Sequence, residues 1–164
     1  MGTSYAAYES PLGAIRVVAN EMGITRVEIF EDDWEQFLAE NPSVQEDGNK
    51  ICSEAIVQLE EYFKGQRKSF DLPLVIDGTD FRKRVWQALQ TIPYGEIRSY
   101  AEIAEMIGSP KAIRAVGQAN KANQWPIIIP CHRVIGKSGD LVGYAGGRTS
   151  FKEKLLELEG YQFS

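Results

Sequence analysis

Apolar residues follow two different periods along the chain, and the first is typical of β-strands. Short runs rich in β-branched residues occupy positions 5–10, 14–19 and 24–30, and turn-forming residues separate them. Three consecutive runs with short connections favour a β-meander, in which each strand pairs antiparallel with the next. The sequence therefore predicts a small antiparallel sheet at the start of the chain.

Helical spacing begins after the predicted sheet. We predict a short helix over residues 32–38, a polar loop over 41–49 and a longer helix that ends near residue 64. Ser53 has the hydroxyl that helix N-caps use, and Gly65 can end a helix in the left-handed conformation. These two residues are therefore expected to bound the longer helix.

An extended segment predicted over residues 70–76 leads to Asp77-Gly78-Thr79, a composition typical of a joint between domains. We therefore predict an N-terminal domain of residues 1–77 that contains the sheet and its helix. Residues 78–164 are predicted to form a C-terminal domain.

The C-terminal half has helical spacing along most of its length. Thr79 or Asp80 is expected to cap a helix that extends to Gln90. Ser99 then begins the sequence Ser-Tyr-Ala-Glu, a capping box in which Ser99 and Glu102 each accept a backbone amide of the other. The helix that follows is predicted to stop at Gly108 and to bury Ile103, Met106 and Ile107.

A second short helix follows at once, over about residues 111–120. Ser109 is expected to cap it, with Pro110 in its first turn. Two short helices joined by a tight Gly-Ser-Pro turn predict a helix-turn-helix, and the alternative is an ordinary helical hairpin in a small core. The second helix has little side-chain bulk, because it carries Ala112, Ala115, Gly117 and Ala119.

The distribution of charge favours DNA binding. The whole chain has a net charge of −5, but residues 1–79 carry 6 basic and 15 acidic residues whereas residues 80–164 carry 12 and 8. Charge asymmetry of this kind indicates a nucleic-acid face on the basic half. Arg114 projects from the small-residue helix, and we expect that helix to contact DNA.

Composition excludes several classes of protein. The 164 residues are 43% hydrophobic, which is ordinary for a globular protein, and no apolar run approaches the ~20 residues that span a bilayer. The start of the chain lacks the basic and apolar regions of a signal peptide, and Ala6 stands where N-myristoylation requires serine or threonine. We expect a cytoplasmic protein with no membrane partner.

The chain contains two cysteines, Cys52 and Cys131, and one histidine, His132. Two distant cysteines in a cytoplasmic chain do not predict a disulfide framework. A structural zinc site normally takes four cysteine or histidine ligands, so no metal is expected, although carboxylates could complete a site. Cys52 lies in the longer predicted helix and is interpreted as structural.

Candidate chemistry concentrates in residues 126–147. Residues 127–129 are predicted to form a buried strand that Pro130 ends, with Cys131 and His132 directly after it. A thiol is a strong nucleophile only as the thiolate, and His132 is the candidate base. Adjacent side chains on an extended segment point to opposite sides, so we expect a water molecule to bridge sulfur and imidazole. The alternative is a buried structural cysteine.

These motifs together resemble the active-site signature of the methylated-DNA–protein-cysteine methyltransferases, the DNA alkyltransferases. The signature here is PCHRV, preceded by III and followed by Gly-Tyr-Ala-Gly-Gly. The likeness extends through GTDFRKRVWQALQTIPYGEIRSYAEIAEMIG and SPKAIRAVGQANKANQWP. It covers residues 78–160 and, more loosely, the EYFKGQRKSFDLPL segment before them.

The resemblance implies a mixed α+β (α/β) fold. Its small N-terminal antiparallel sheet with a helix would be RNase H-like, and a helical, winged-helix-like domain with the helix-turn-helix would follow. The implied reaction is irreversible, stoichiometric transfer of an alkyl group from O6-alkylguanine in DNA to Cys131, and activity on O4-methylthymine stays open. The helix-turn-helix would enter the minor groove and flip the base out. The implied protein is a monomer that acts on double-stranded DNA containing alkylated guanine, without metal or organic cofactor.

The resemblance also implies a role for each site residue. Cys131 resembles the alkyl acceptor, His132 the base that takes the thiol proton through a water, and Glu159 the carboxylate that orients the imidazole. Asn123 is similar to the asparagine that holds the active-site loop, and Tyr100 to the tyrosine that donates to the ring nitrogen of the departing base.

Further implied residues contact DNA or line the base pocket. Arg114 resembles the arginine that fills the space left by the flipped nucleotide. Asn120 and Ala145 stand where some relatives have methionine and serine, so the lesion preference stays open. The implied DNA-contacting residues are Ser99, Ala112, Arg114, Ala115 and Gly117. The implied pocket residues are Tyr100, Val134, Tyr144, Ala145 and Gly146.

Three other functions compete with alkyl transfer. A lesion sensor of the same fold would carry another residue, usually tryptophan, in place of Cys131. A cysteine hydrolase would also use Cys131 and His132 but would turn over and need an oxyanion site. A transcription regulator would leave the thiol beside a base pocket without a use.

Overall fold

The computed structural model describes residues 2–136 and 149–161. The chain divides into two compact units, Met1–Ile76 and Asp77–Ser164, and each is described by itself. The predicted division into an N-terminal domain of residues 1–77 and a C-terminal domain of residues 78–164 stays a prediction.

The first unit contains the predicted β-meander. Strands β1 (Ser4–Ser10), β2 (Gly13–Ala19) and β3 (Ile24–Glu28) form an antiparallel sheet in the order β1-β2-β3. Gly13 has φ 117° in the turn between β1 and β2, a conformation that glycine adopts without steric cost. Residues near Leu74 extend the sheet, because Ile24 forms a parallel bridge with Leu74. The mixed α+β fold class is confirmed.

Two helices accompany this sheet. Helix α1 (Glu31–Glu40) is longer than predicted, and helix α2 (Lys50–Phe63) packs against β1 and β2. Cys52 is fully buried, with its sulfur 3.5 Å from the carbonyl oxygen of Val17. Burial against the sheet gives this thiol a packing role, as the structural interpretation requires.

The cap of α2 differs from the prediction. The side chain of Asn49 accepts a hydrogen bond from the backbone amide of Cys52 at 2.9 Å, so Asn49 is the N-cap and Ser53 lies inside the helix. The Ser53 hydroxyl instead donates to the Asn49 carbonyl. Both residues are good caps by type, and the helix begins at the one that precedes its first turn.

The second unit is mainly helical. Strand β4 (Arg98–Ser99) pairs in parallel with β5 (Val134–Ile135), with Arg98 opposite Val134 and Ser99 opposite Ile135. This pairing brings the start of α4 (Tyr100–Met106) beside the segment that follows Cys131. The elements are α3 (Asp80–Leu89), β4 (Arg98–Ser99), α4 (Tyr100–Met106), α5 (Ile113–Lys121), a 3₁₀ helix (Cys131–Arg133), β5 (Val134–Ile135) and α6 (Thr149–Leu158).

Helix α3 anchors α5 through Trp86. The Trp86 indole nitrogen donates to the carbonyl oxygen of Ala119 at 2.9 Å. The same ring packs edge-on against Trp125, with ring centroids 5.3 Å apart. Both tryptophans are almost completely buried, so this cluster fixes α5 and the start of the next loop on α3.

Two of the predicted helix caps in this unit are confirmed. The Thr79 side chain accepts from the Arg82 amide, so Thr79 rather than Asp80 caps α3. Ser99 and Glu102 form the complete capping box at the start of α4.

The predicted start of α5 is wrong. Ala112 occupies the N-cap of α5, and Ser109 instead closes a turn in which its carbonyl accepts from the Ala112 amide at 2.9 Å. Pro110 lies in that turn, before the helix. Met106 was predicted to be buried but is 49% exposed, because α4 ends there and its side chain leaves the core face.

The predicted strand at residues 127–129 is also wrong, although these residues are buried. Ile127 has φ 74°, and the Ile129 amide donates to the Trp125 carbonyl at 2.8 Å, so the chain turns back on itself. A β-branched residue in the left-handed region is strained by about 1–3 kcal/mol, which burial of the isoleucines offsets. Cys131 therefore begins a 3₁₀ turn instead of following an extended strand.

The two candidate caps of α2 give a stability prediction. Asn49→Ala removes the hydrogen bond to the Cys52 amide and should lower the free energy of unfolding by about 1 kcal/mol. Ser53→Ala is the matched control and should stay within ~0.5 kcal/mol of the natural chain, since this side chain is exposed. Urea denaturation measures both, and an equal loss in the two variants would contradict the assignment of the cap.

Candidate active site

Asn123 organises the loop that leads to Cys131. Its side-chain nitrogen donates to the Ile129 carbonyl at 2.9 Å, and its side-chain oxygen accepts the Trp125 amide at 2.9 Å. The Asn123 side chain also acts to lower the pKa of the Cys131 thiol. One asparagine thus closes the turn from both sides, just before Cys131.

The Cys131 thiol lies in a dry environment. Cys131 is only 4% exposed. Burial raises the pKa of Cys131 to about 11, while the Asn123 hydrogen bond and the positive charge of Lys152 act in the opposite direction. The resting group is therefore a protonated thiol, and it needs a proton acceptor before it can act as a nucleophile.

His132 faces the carboxylate of Glu159. The distance between His132 Nε2 and Glu159 Oε2 is 2.7 Å, and both side chains are buried. An ionised carboxylate only accepts hydrogen bonds, so Nε2 carries the proton and Nδ1 has a free lone pair. Nδ1 is buried, and within residues 2–136 and 149–161 no side chain or backbone group hydrogen-bonds it.

The imidazole is held neutral by its surroundings. Burial is the largest influence and lowers the pKa of His132, and the charges of Arg133 and Lys152 lower it further. The hydrogen bond and charge of Glu159 raise that pKa but do not outweigh the rest. His132 is therefore a neutral base at physiological pH.

Arg133 completes the cluster, and the sequence analysis did not single it out. Its guanidinium donates to both Glu159 oxygens, at 2.8 and 3.0 Å, and to the Ile92 carbonyl at 2.7 Å. Burial tends to raise the pKa of Glu159, but the hydrogen bonds and charges of His132 and Arg133 outweigh it and hold that pKa well below its usual range. Glu159 is consequently a carboxylate anion.

Lys152 is a second buried cation that the sequence analysis missed. Its amine donates to the Val134 carbonyl, just beyond the 3₁₀ turn. Burial lowers the pKa of Lys152 to about 8, and the charge of Cys131 acts to raise it. Helical spacing was the available signal, because Lys152, Leu155 and Glu159 follow one another at intervals of three and four residues.

Helices α4 and α5 contribute Tyr100 and Asn120, respectively, to the site. Asn120 donates to the Cys131 carbonyl at 3.3 Å and is 1% exposed. Burial, aided by the charge of Cys131, raises the pKa of Tyr100 to about 12, and the Asn120 side chain partly lowers it. Tyr100 therefore keeps its proton at neutral pH and can donate it.

The predicted DNA-contacting residues lie on and beside α5. Arg114 and Ala115 are exposed, whereas Val116, Ala119 and Asn120 form the buried face of the helix. A Cβ at Gly117 would meet no heavy atom within 4 Å, so this surface is open to a close approach.

The remaining predicted residues have other placements. The Ser99 hydroxyl is bound to the Glu102 amide, and Val134 is buried with its carbonyl bound by Lys152. Tyr144, Ala145 and Gly146, which were predicted to line the pocket, lie outside the described residues. The functional roles assigned to all of these residues stay predictions.

Among residues 2–136 and 149–161, no group of three or more His, Cys, Asp or Glu side chains could hold a metal ion. No helix within those ranges is long and apolar enough to cross a bilayer.

Two family models match the two halves of the chain. Residues 3–76 match the ribonuclease-like domain of 6-O-methylguanine DNA methyltransferase. Residues 80–161 match the DNA binding domain of the same family.

Known proteins agree with these matches. The constitutive methylated-DNA–protein-cysteine methyltransferase of Bacillus subtilis is 50% identical over 155 residues, which cover 94% of each chain. The enzyme of that name from Methanosarcina acetivorans is 49% identical over 95% of this chain and 97% of its own. The crystal structure of Mycobacterium tuberculosis OGT in complex with DNA has a TM-score of 0.84 and 46% identity, covering 95% of this chain and 92% of that one. The chain therefore belongs to the methylated-DNA–protein-cysteine methyltransferase family.

Proposed function

We propose that this protein repairs DNA by moving the alkyl group of O6-alkylguanine irreversibly to the sulfur of Cys131. The observation that carries the proposal is the buried thiol directly followed in the chain by a neutral histidine. Glu159 fixes the tautomer of that histidine and leaves Nδ1 as an acceptor. A protonated thiol of raised pKa requires such an acceptor.

The proton of the thiol passes to His132 Nδ1 through a water molecule in this mechanism. The sulfur electron pair then forms the bond to the alkyl carbon as the bond from that carbon to guanine O6 breaks. The thioether is stable, so the protein acts once, and no step calls for a metal or an organic cofactor.

Tyr100 assists departure of the base. The pair of electrons from the broken bond moves onto guanine, and a donor at a ring nitrogen stabilises the charge that develops there. The raised pKa of Tyr100 keeps its hydroxyl protonated until that moment. After transfer, guanine carries the proton that Tyr100 donated and His132 carries the proton of the thiol. That proton returns from His132 to the Tyr100 oxygen through water, so the net change is one proton moved from Cys131 to guanine.

The helix-turn-helix presents the lesion to this buried site. A thiol that is 4% exposed cannot reach an atom stacked inside a duplex, so the nucleotide must rotate out, which costs a few kcal/mol. We assign Arg114 to fill the vacated space, because it is exposed on α5 near the small residues Ala115 and Gly117. The open surface at Gly117 suits the close approach that a minor groove demands.

O4-methylthymine is the second candidate substrate. Asn120 places a polar amide beside Tyr100 and the Cys131 carbonyl, and its side-chain oxygen makes no hydrogen bond to a described residue. Single-turnover rates on duplexes that differ only in the lesion decide whether both bases are repaired.

We further propose that one molecule acts per lesion, in the cytoplasm. Cys52 and Cys131 are both free and buried, which suits a reducing compartment. Sedimentation of the protein with a duplex that contains one lesion tests the stoichiometry.

Peptide mapping tests the identity of the acceptor. After reaction with a methylated duplex, intact-mass analysis should show a single added methyl group, and mapping should place it on Cys131. Cys131→Ser should abolish transfer, whereas Cys52→Ala should retain it, because Cys52 packs against the sheet of the first unit. Transfer that survives Cys131→Ser, or an adduct on Cys52, would remove the proposed reaction.

Arg114→Ala should separate base flipping from chemistry. We expect the rate on duplex DNA to fall by at least ~10-fold, equivalent to about 1.4 kcal/mol of the flipping cost, while free O6-benzylguanine reacts at an unchanged rate. Arg114→Lys keeps the charge without the planar guanidinium and serves as the matched control. Equal losses on both substrates would show that Arg114 supports the fold.

The relay from Cys131 through His132 to Glu159 predicts non-additive losses. Glu159→Gln and His132→Gln should each slow transfer and leave affinity for alkylated DNA nearly unchanged. The double variant should be little slower than either single variant, because linked groups act as one unit. Single-turnover rates and binding isotherms measure this, and full additivity would refute the relay.

A further inference from the structure

We propose that Arg133 is a positioning residue for the proton acceptor: by holding both oxygens of Glu159, it keeps the His132 imidazole neutral and ready to take the thiol proton. The inference rests on the proposed function, since it concerns how the base of that reaction is kept competent. Arg133 acts on the reaction through its hydrogen bonds to Glu159.

Each of the three nitrogens of the Arg133 guanidinium donates to an acceptor, and these hydrogen bonds fix the orientation of the group. Nε donates to Glu159 Oε1 at 2.8 Å and Nη2 to Oε2 at 3.0 Å, while Nη1 binds the Ile92 carbonyl at 2.7 Å. Its guanidinium carbon also lies 5.7 Å from the centroid of the Tyr94 ring. A planar fork on a carboxylate fixes both partners in orientation, which a lysine in its place could not do.

Glu159 is also held from its other side. The Gly95 amide is 3.5 Å from Glu159 Oε1, and the Tyr94 hydroxyl donates to the Leu158 carbonyl at 3.4 Å. The turn after α3 and the end of α6 therefore position the Glu159 carboxylate independently of its hydrogen bond to His132. His132 Nε2 meets an oxygen whose position Arg133 has already set.

The charges around the imidazole explain why this matters. Glu159 contributes a negative charge from the position just after α6, Lys152 a positive charge from α6, and Arg133 a positive charge from the 3₁₀ turn. The Cys131 thiol and Tyr100 hydroxyl are neutral at rest. A buried carboxylate paired with histidine alone would draw a proton onto the ring, because an unpaired charge in a dry site is costly. Arg133 supplies that countercharge permanently.

Loss of Arg133 has a defined sign. Without this cation, the negative charge of Glu159 acts on His132 alone, so the pKa of His132 must rise. A protonated ring has no lone pair at Nδ1 and cannot accept the thiol proton. Transfer should then be slow near neutral pH and recover at alkaline pH, as the imidazole loses its extra proton.

A purely structural role would give a different result. If Arg133 only stabilised the fold, its loss would slow transfer by the same factor at every pH. The direction of the shift in the His132 pKa also distinguishes Arg133 from Glu159. Loss of Arg133 should raise this pKa, whereas Glu159→Gln removes a negative charge and should lower it.

The experiment uses the fact that His132 is the only histidine among the 164 residues. Nitrogen-15 NMR of the full chain, labelled on histidine, follows the tautomer and titration of this ring without ambiguity. The natural chain should show the Nε2-protonated neutral ring at pH 7. Arg133→Met should move the titration midpoint, and the acid limb of the single-turnover rate profile with it, upward by about 1 pH unit or more.

Controls keep the outcome interpretable. Arg67→Met breaks another arginine–glutamate pair, that with Glu61 at 2.8 Å in the first unit, and should change neither curve. If Arg133→Met does not fold by circular dichroism, Arg133→Gln keeps a donor without the charge and should give the same upward shift. An imidazolium in the natural chain at pH 7, or an unmoved midpoint in the folded variant, would overturn the proposal. Failure of the natural chain to remove methyl from DNA would instead refute the proposed function, while the NMR titration still tests Arg133.

Discussion

A single buried carboxylate holds the candidate active site together. Glu159 at the end of α6 binds His132 and Arg133 from the 3₁₀ turn that Cys131 begins, and the turn after α3 contacts the same group. Removal of one partner from a buried pair of this kind typically costs 3–5 kcal/mol, because the remaining charge is left uncompensated. Three distant segments of the chain therefore depend on one charge for their relative positions within the second unit.

The environment of Cys131 keeps its thiol protonated and unreactive at rest. Reactive cysteines are usually exposed and have a lowered pKa, whereas burial here raises the pKa of the thiol. Oxidation follows exposure and thiolate character, so a buried, protonated sulfur is protected from it. On the proposed function this protection is valuable, because a protein that reacts once loses its whole activity if the thiol is spent elsewhere.

Local signals made much of the fold predictable, and long-range contacts account for most of what was missed. The β-meander and the Ser99–Glu102 capping box follow from residues close together in sequence, and both were predicted correctly. The buried run at 127–129 was mistaken for a strand, because apolarity reports burial and not backbone direction. Arg133 and Lys152 read as surface residues by type, and only the neighbours that the fold supplies make them buried cations.

These two cations change the charge balance of the site when the thiol ionises. Arg133 compensates Glu159 through its paired hydrogen bonds, and Lys152 then stands as a further cation near Cys131. Burial lowers the pKa of Lys152 to about 8, and the negative charge of Cys131 acts to raise it, so each group favours the charged form of the other. The Lys152 ammonium and the Cys131 thiolate therefore stabilise each other. The same low dielectric that keeps the thiol protonated at rest thus strengthens the attraction that stabilises the thiolate once its proton has moved to His132.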